Sequence, residues 1–478
     1  MKKNSIYIIS LCLLLFSRWI PVPAGMTSSG MQVLGILTGV LILWLTTTID
    51  WPSFLCIAGL AFVPELTMSG ILSGAFGNST FAFLLFTFMC TYAVGQTSFV
   101  KRCAITFISN RIAAKGSWWF VTTYCLSVLL IGMFMSPVVL FVIYMPILDT
   151  ICQELKLEKD HKLANTLALG TLFCCAIACG MTPIAHTFPV MALGFYQQMA
   201  GTAISYLSYM MAAIPVGLIS FLIMILLFKL LMRPDTSKLK NLDFSVLKSS
   251  IKPLEKREKV VLVIFFAVVS MWVLPDLIKG VLPDLAKFLS SKGTTFPPMI
   301  GAVAMFMISI DGKPLLNFKE VMAKGIQWGG LVMAAATLAV GSAMTNSEIG
   351  LTDWLSGAIE PWISGLAPMV IIMVFVVWTF VMTNMCSNMV TVTVVCAVAI
   401  PICLSSGGAL SAPAIASMIG LGASYAFVLP PAHPNVALAI GSGWTNTSQV
   451  IRYGMILMMG AIVATVLVGY SVAAVLMI

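Results

Sequence analysis

The sequence predicts an all-α polytopic membrane protein, on three observations. Hydrophobic residues make up 60% of the chain and charged residues 9%, with a mean hydropathy of +1.03. The apolar residues fall in runs of spanning length, since a helix needs about 20 of them to cross a bilayer. Lys and Arg gather in loops that alternate along the chain. A soluble domain carries about 25% charged residues. The composition therefore excludes a soluble enzyme, a disordered chain and a nucleic-acid binder, and makes the lipid bilayer the first partner. The net charge of +9 sits in a few loops and implies no acidic partner. The 12 Cys lie within or beside apolar runs, as Cys174, Cys175 and Cys179 do, and read as small buried hydrophobes.

The elements follow in order. The first apolar run, behind Lys2 and Lys3, continues past Arg18 to Ile20, which suits a first helix better than a signal peptide. Single spans are expected near 5–24, 31–49, 53–67, 79–98, 206–232, 260–282, 295–310, 328–346 and 452–477. Segments 117–153 and 361–406 are too long for one helix and carry a polar break, so they read as re-entrant hairpins. Segments 162–200 and 411–446 are apolar but interrupted by Pro, Gly and His, and read as broken spans. The total is eleven transmembrane spans plus two re-entrant hairpins.

Loop charge supports that count. With the N-terminus inside, Lys101, Arg102, Lys156, Lys159, Lys248, Lys252, Lys319 and Arg452 all fall inside. Only Lys279, Lys287 and Lys292 fall outside, as the positive-inside rule requires. The expected location is the plasma membrane, the inner membrane of a bacterium, with a cytoplasmic N-terminus and an outside C-terminus. The organisation is an N-terminal span (1–30), a first repeat (31–233) with an inward hairpin (117–153), a cytoplasmic linker (234–259), and a second repeat (260–478) with an outward hairpin (361–406).

The two halves share an order of landmarks. Tyr92-Ala-Val-Gly95 meets Leu338-Ala-Val-Gly341. The hairpin tips are Met135-Ser136-Pro137 and Cys386-Ser387-Asn388, and the second arms reach Pro146-Ile147 and Pro401-Ile402. Ala185-His186 is followed eight residues later by Gly194, and Ala432-His433 eight residues later by Gly441. The hairpins enter from opposite sides by the charge map, so the repeat is inverted. Inverted repeats with broken helices at the bilayer midplane are the architecture of secondary transporters. Half-helix N-termini there attract anions, and unwound carbonyls hold cations.

Ser136 reads as an N-cap with Pro137 as the first helical residue, and Ser387 caps its counterpart. His161 lies in a charged loop and reads as solvated. His186 and His433 sit in the broken spans at matching positions. They read either as neutral rings satisfied by unwound carbonyls or as anion contacts, and His433 is favoured for the latter because it precedes Pro434-Asn435. A charged imidazole would make anion affinity weaken as pH rises.

At these residues the chain resembles the divalent-anion/sodium symporter family of the ion-transporter superfamily, which comprises dicarboxylate, citrate and sulfate carriers. Members carry Ser-Asn-Thr at each hairpin tip and characteristic unwindings after it. Ser387-Asn388-Met389 stands where Ser-Asn-Thr is expected, and Thr383 stands at the place of a cation-site threonine. Pro430-Pro431-Ala432-His433-Pro434-Asn435 resembles the second unwinding, and Gly180-Met181-Thr182-Pro183-Ile184 the first. The resemblance implies an elevator mechanism with Na⁺ beside each tip, held by Thr383, Asn388, Ser136 and Gly180, with H⁺ as the alternative. The expected substrate contacts are Ser136, Ser387, Asn388, Met389, Pro434 and Asn435 at the positions of the resemblance, with His186 and His433 added from their places in the broken spans. The family is commonly homodimeric. The first tip departs from the pattern, because Ser136-Pro137-Val138 keeps only the serine and Pro137 deletes a backbone donor.

The leading expectation is therefore a cation-coupled secondary carrier of a small (di)carboxylate or related anion. A cation/proton antiporter of the same superfamily should show an Asp pair or a buried Lys in the broken spans, and neither is present. An anion exchanger is the other alternative. The sequence has no Walker-type phosphate loop, and two His on separate helices with no neighbouring acid make no metalloenzyme site, so no enzymatic activity is expected.

Overall fold

The computed structural model describes residues 3–111, 113–159, 161–184, 186–241, 251, 253–363, 365–430 and 432–477. Lys2, Ala185, Lys248, Lys252 and Pro431 lie outside the described residues.

The chain is helical almost throughout. The first half contains α1 (Lys3–Phe16), α2 (Ser28–Thr46), α3 (Trp51–Leu60), α4 (Met68–Ala75), α5 (Ser79–Gly95), α6 (Phe99–Ile108), α7 (Ser117–Gly132), α8 (Pro137–Glu154), α9 (Lys162–Met181), α10 (Thr187–Ala200) and α11 (Tyr206–Leu227). The second contains α12 (Lys256–Ile278), α13 (Pro283–Ser291), α14 (Phe296–Met307), α15 (Phe318–Glu320), α16 (Trp328–Met344), α17 (Leu351–Ile363), α18 (Pro368–Met385), α19 (Asn388–Ser405), α20 (Ala412–Ala423), α21 (Pro434–Gly441), α22 (Thr447–Ala464) and α23 (Ser471–Leu476). One two-residue hairpin, β1 (Ser309–Ile310) with β2 (Lys313–Pro314), follows α14. π-Helical turns extend α11 to Met232, α15 to Gly325, and α22 into α23.

Side chains close the helix ends where the chain turns. Thr27 accepts from the Gly30 N–H at 2.8 Å to start α2, and Asp50 from Trp51 at 2.7 Å to start α3. His161, expected in solvent, caps α9 by accepting from Leu163 at Nδ1. Glu255 and Glu258 form a reciprocal capping box that ends the linker and opens α12.

Among the described residues nine helices are long and apolar enough to cross a membrane, or ten if α15 and α16, bent by 75°, count as one span. Three of the nine are hairpin arms, α8, α18 and α19. The eleven expected spans therefore include shorter pieces. The expected span at 53–67 is replaced by α3, only ten residues long and ending at Leu60, because Pro64 cannot continue a helix and the chain turns at 61–63. Ten residues rise about 15 Å, half of the ~30 Å hydrocarbon core. The span at 295–310 holds the twelve residues of α14.

Both hairpins form where the sequence placed them, as α7–α8 with a tip at 133–136 and α18–α19 with a tip at 386–387. Helices α6 and α17 precede them in matching positions. The polar breaks after α9 and after α20 also match. These elements interlock across the halves, since α10 packs on α19 and α20 while α21 packs on α8 and α9. Helix α9 is predominantly apolar and buried from Leu163 to Met181. The glycine match is only partial. Gly194 lets α10 approach α5, since a Cβ there would lie 2.5 Å from the Thr80 hydroxyl, whereas Gly441 faces open space.

Candidate functional site

Unwound backbone at membrane depth must find its hydrogen bonds in protein or trapped water. In the second half, α18 supplies them. Asn384, in the last turn of α18, is buried and fully engaged. Its Nδ2 donates to the carbonyls of Phe380 and Tyr425, both at 2.9 Å. Its Oδ1 accepts from the N–H groups of Phe427 at 3.0 Å and Val428 at 2.8 Å. The Thr383 hydroxyl donates to the Ala423 carbonyl at 2.6 Å. Two adjacent side chains thus hold open the break between α20 and α21.

In the first half the break supplies the side chains instead. The Thr182 hydroxyl donates to the Met133 carbonyl, and His186 Nε2 donates to the Gly132 carbonyl at 2.9 Å. The acceptors are the last residues of α7 and the start of its tip. Because the His186 partner is a carbonyl, the ring proton sits on Nε2. That leaves Nδ1 as a buried acceptor without a partner.

A bond across the halves joins one tip to the other break. Asn435, at the start of α21, donates through Nδ2 to the Pro137 carbonyl at 3.0 Å. His433 is the N-cap of α21, and its Nδ1 accepts from the Asn435 N–H at 3.2 Å. Its proton is therefore on Nε2. Pro137, His433 and Asn435 line a narrow crevice together with Leu172, Ala176, Cys179, Ser424 and Ala426. The Asn435 Oδ1 has no partner.

The structure sorts the residues named from the sequence. Ser136 and Ser387 stand at the N-cap positions, yet neither hydroxyl makes the capping bond. At the first tip Pro137 has no N–H to offer. Both hydroxyls are left for something else. Asn388 is buried at the first position of α19, and its Nδ2 has no partner. Met389 turns towards α16, where its methyl group fills the space over Gly330, so its side chain packs between helices. Gly180 lies in the last turn of α9, not in the unwound stretch. Its carbonyl accepts from the Tyr209 hydroxyl at 2.6 Å, and a Cβ there would crowd Leu421 and Tyr425. Pro434 opens α21 and is exposed. Ser387, Asn388 and Thr383 do not line the crevice around His433. Sequence reasoning missed Asn384, Cys179 and Ser424. Asn384 left a signal, being an amide inside an otherwise apolar arm beside Thr383.

Among the described residues no group of three or more His, Cys, Asp or Glu could hold a metal ion. A cation at these breaks would be held by neutral oxygens. The Thr383 hydroxyl retains lone pairs after donating to Ala423, and the break contributes carbonyls, a donor set that suits Na⁺.

Interlocked hairpins and breaks with uncommitted buried polar atoms define a multi-pass membrane transporter. The profile of the sodium:sulfate symporter transmembrane region matches residues 1–478, and the chain belongs to that family. It is 25% identical to the sodium-dependent dicarboxylate transporter SdcS of Staphylococcus saprophyticus, over 96% of this chain and 88% of that one. It is 24% identical to SdcS of Staphylococcus aureus, over 94% and 87%. The YdaH transporter of Alcanivorax borkumensis shares its fold, with a TM-score of 0.56 at 15% identity, covering 86% of this chain and 88% of that one.

Proposed function

We propose that the chain is a Na⁺-coupled secondary carrier of a small dicarboxylate or related oxyanion, working by an elevator movement in the bacterial inner membrane. The observation that carries this reading is the set of buried side-chain atoms left without partners at the hairpins and breaks, namely Asn388 Nδ2, His186 Nδ1 and Asn435 Oδ1. Buried polar groups are ordinarily satisfied, so such a set is held ready for a ligand. The Asn388 amide and the His433 Nε2–H can donate to a carboxylate. The N-termini of α19 and α21 add positive dipole ends. The tips themselves carry no Lys or Arg. An anion's charge inside a membrane is costly unless paired, so a cation held by Thr383 and nearby carbonyls would travel with it. That requirement is the physical reason for coupling.

The relatives named for sodium-dependent dicarboxylate transport favour Na⁺ and a dicarboxylate over H⁺ and sulfate. The interlocking of α8, α9, α10, α19, α20 and α21 favours a body that moves as one unit. In this reading the halves 31–233 and 260–478 are inverted about the 234–259 linker, with the N-terminus in the cytoplasm and the C-terminus outside. Uptake into proteoliposomes tests it, with labelled succinate, citrate, sulfate and phosphate under an inward Na⁺ or H⁺ gradient. The expected result is succinate accumulation driven by Na⁺. Uptake indifferent to both gradients would overturn it.

A further inference from the structure

A second polar cavity, of about 220 Å³, lies at the far end of α21 from His433. It is lined by Lys159, Asn165, Gly443, Trp444, Thr445, Asn446 and Gln449. Helix α21 has eight residues, so the two sites are separated by its length of about 12 Å. Three of the lining side chains carry buried oxygens with no partner: Asn165 Oδ1, Thr445 Oγ1 and Gln449 Oε1. Asn165 is 3% exposed and Thr445 6%. Three orphaned groups facing one cavity mark a site built for a ligand.

The surroundings select its charge. Two long helices begin here, α9 with 20 residues and α22 with 18, and both present positive dipole ends. The Lys159 ammonium lies 3.7 Å from the centre of the Trp444 ring and donates to the Ser442 carbonyl at 2.8 Å. Both partners are neutral, and among the described residues Lys159 forms no ion pair. Among the described residues Asp149 touches this lining, and its carboxylate is held by the Trp444 indole N–H. A cation would meet a lysine and two positive helix ends. An anion would meet donors, since the amides of Asn165 and Gln449 can turn end for end at little steric cost. Turned, they present N–H groups beside the Thr445 hydroxyl and the ammonium.

We propose that this cavity binds a small oxyanion, a carboxylate or sulfate, as a second station on the transporter. Its assignment to the cytoplasmic side, and hence to the release path of the cargo, rests on the carrier reading above. The anion binding itself does not.

Binding of labelled succinate and labelled sulfate to the purified full-length chain tests the proposal, with and without Na⁺. The Asn388→Ala chain, disabled at the hairpin, should retain a Na⁺-independent component. Added singly to that chain, Lys159→Gln and Thr445→Val should each weaken this component at least tenfold, with Gln449→Leu as a further check should either fail to fold. Binding of neither anion to Asn388→Ala would overturn the proposal, as would a component that the cavity substitutions leave unchanged. Absence of a Na⁺-dependent component in the unaltered chain would instead count against the carrier reading.

Discussion

In the second half the hairpin arm reaches out with side chains, and the broken span answers with its backbone. In the first half the roles are exchanged. Thr383 and Asn384 on α18 serve the carbonyls of Ala423 and Tyr425, while Thr182 and His186 on the first break serve the carbonyls of Met133 and Gly132. Each half thus joins its arm to its break with one threonine hydroxyl and one side-chain N–H. The repeated fold dictates where a bond is needed, and either partner can supply it. The exchange is unequal, however. Asn384 also accepts two backbone N–H groups, which His186 cannot do with its one remaining lone pair. Among the described residues the second break is therefore held to its arm by more bonds than the first. Its tip also keeps the Asn388 amide, where the first tip has Pro137.

The largest effect should come from Asn384→Ala. It leaves the N–H groups of Phe427 and Val428 and the carbonyl of Tyr425 buried without partners, at about 1–3 kcal/mol each. A loss of at least about 3 kcal/mol should appear as a large drop in unfolding temperature in detergent, together with loss of transport. His186→Ala removes one bond to the Gly132 carbonyl, which still accepts from the Met135 N–H at 3.4 Å, and should cost about 1 kcal/mol by the same measurement. Equal losses would erase the asymmetry between the halves.

Next comes His433→Gln. Its Nδ1 is occupied as a cap, so the ring donates through Nε2 while neutral. The substrate KM should rise about tenfold, or about 1.4 kcal/mol, while the pH profile of uptake keeps its shape. A profile flattened by the substitution would show instead that a charged imidazole binds the anion. The smallest effect on stability belongs to Ser136→Ala and Ser387→Ala. Neither hydroxyl makes a capping bond, so unfolding should shift by less than about 0.5 kcal/mol. A larger shift would mean that the hydroxyls hold the tips together.

Much of this was legible in the sequence, because hydropathy and breakers act locally. Runs of apolar residues placed α2, α9, α11 and α12, and the polar tips placed both hairpins within a few residues. Contacts made across the fold were not legible. Nothing local says that Met389 turns to Gly330 or that the Gly180 carbonyl belongs to Tyr209. The cross-half bond from Asn435 to Pro137 joins residues far apart in the chain. His433 is favoured over His186 on sequence grounds alone; in the fold the two rings are bonded differently, the first using Nδ1 as a cap acceptor and the second spending its Nε2–H on the Gly132 carbonyl.

In this reading the second half carries the cation and anion chemistry. The Na⁺ dependence of succinate uptake in proteoliposomes containing Asn388→Ala or Ser136→Ala distinguishes the halves. Asn388→Ala should abolish Na⁺-driven uptake, while Ser136→Ala should keep a substantial part of it with an unchanged Na⁺ requirement. Equal loss from both substitutions would contradict this reading.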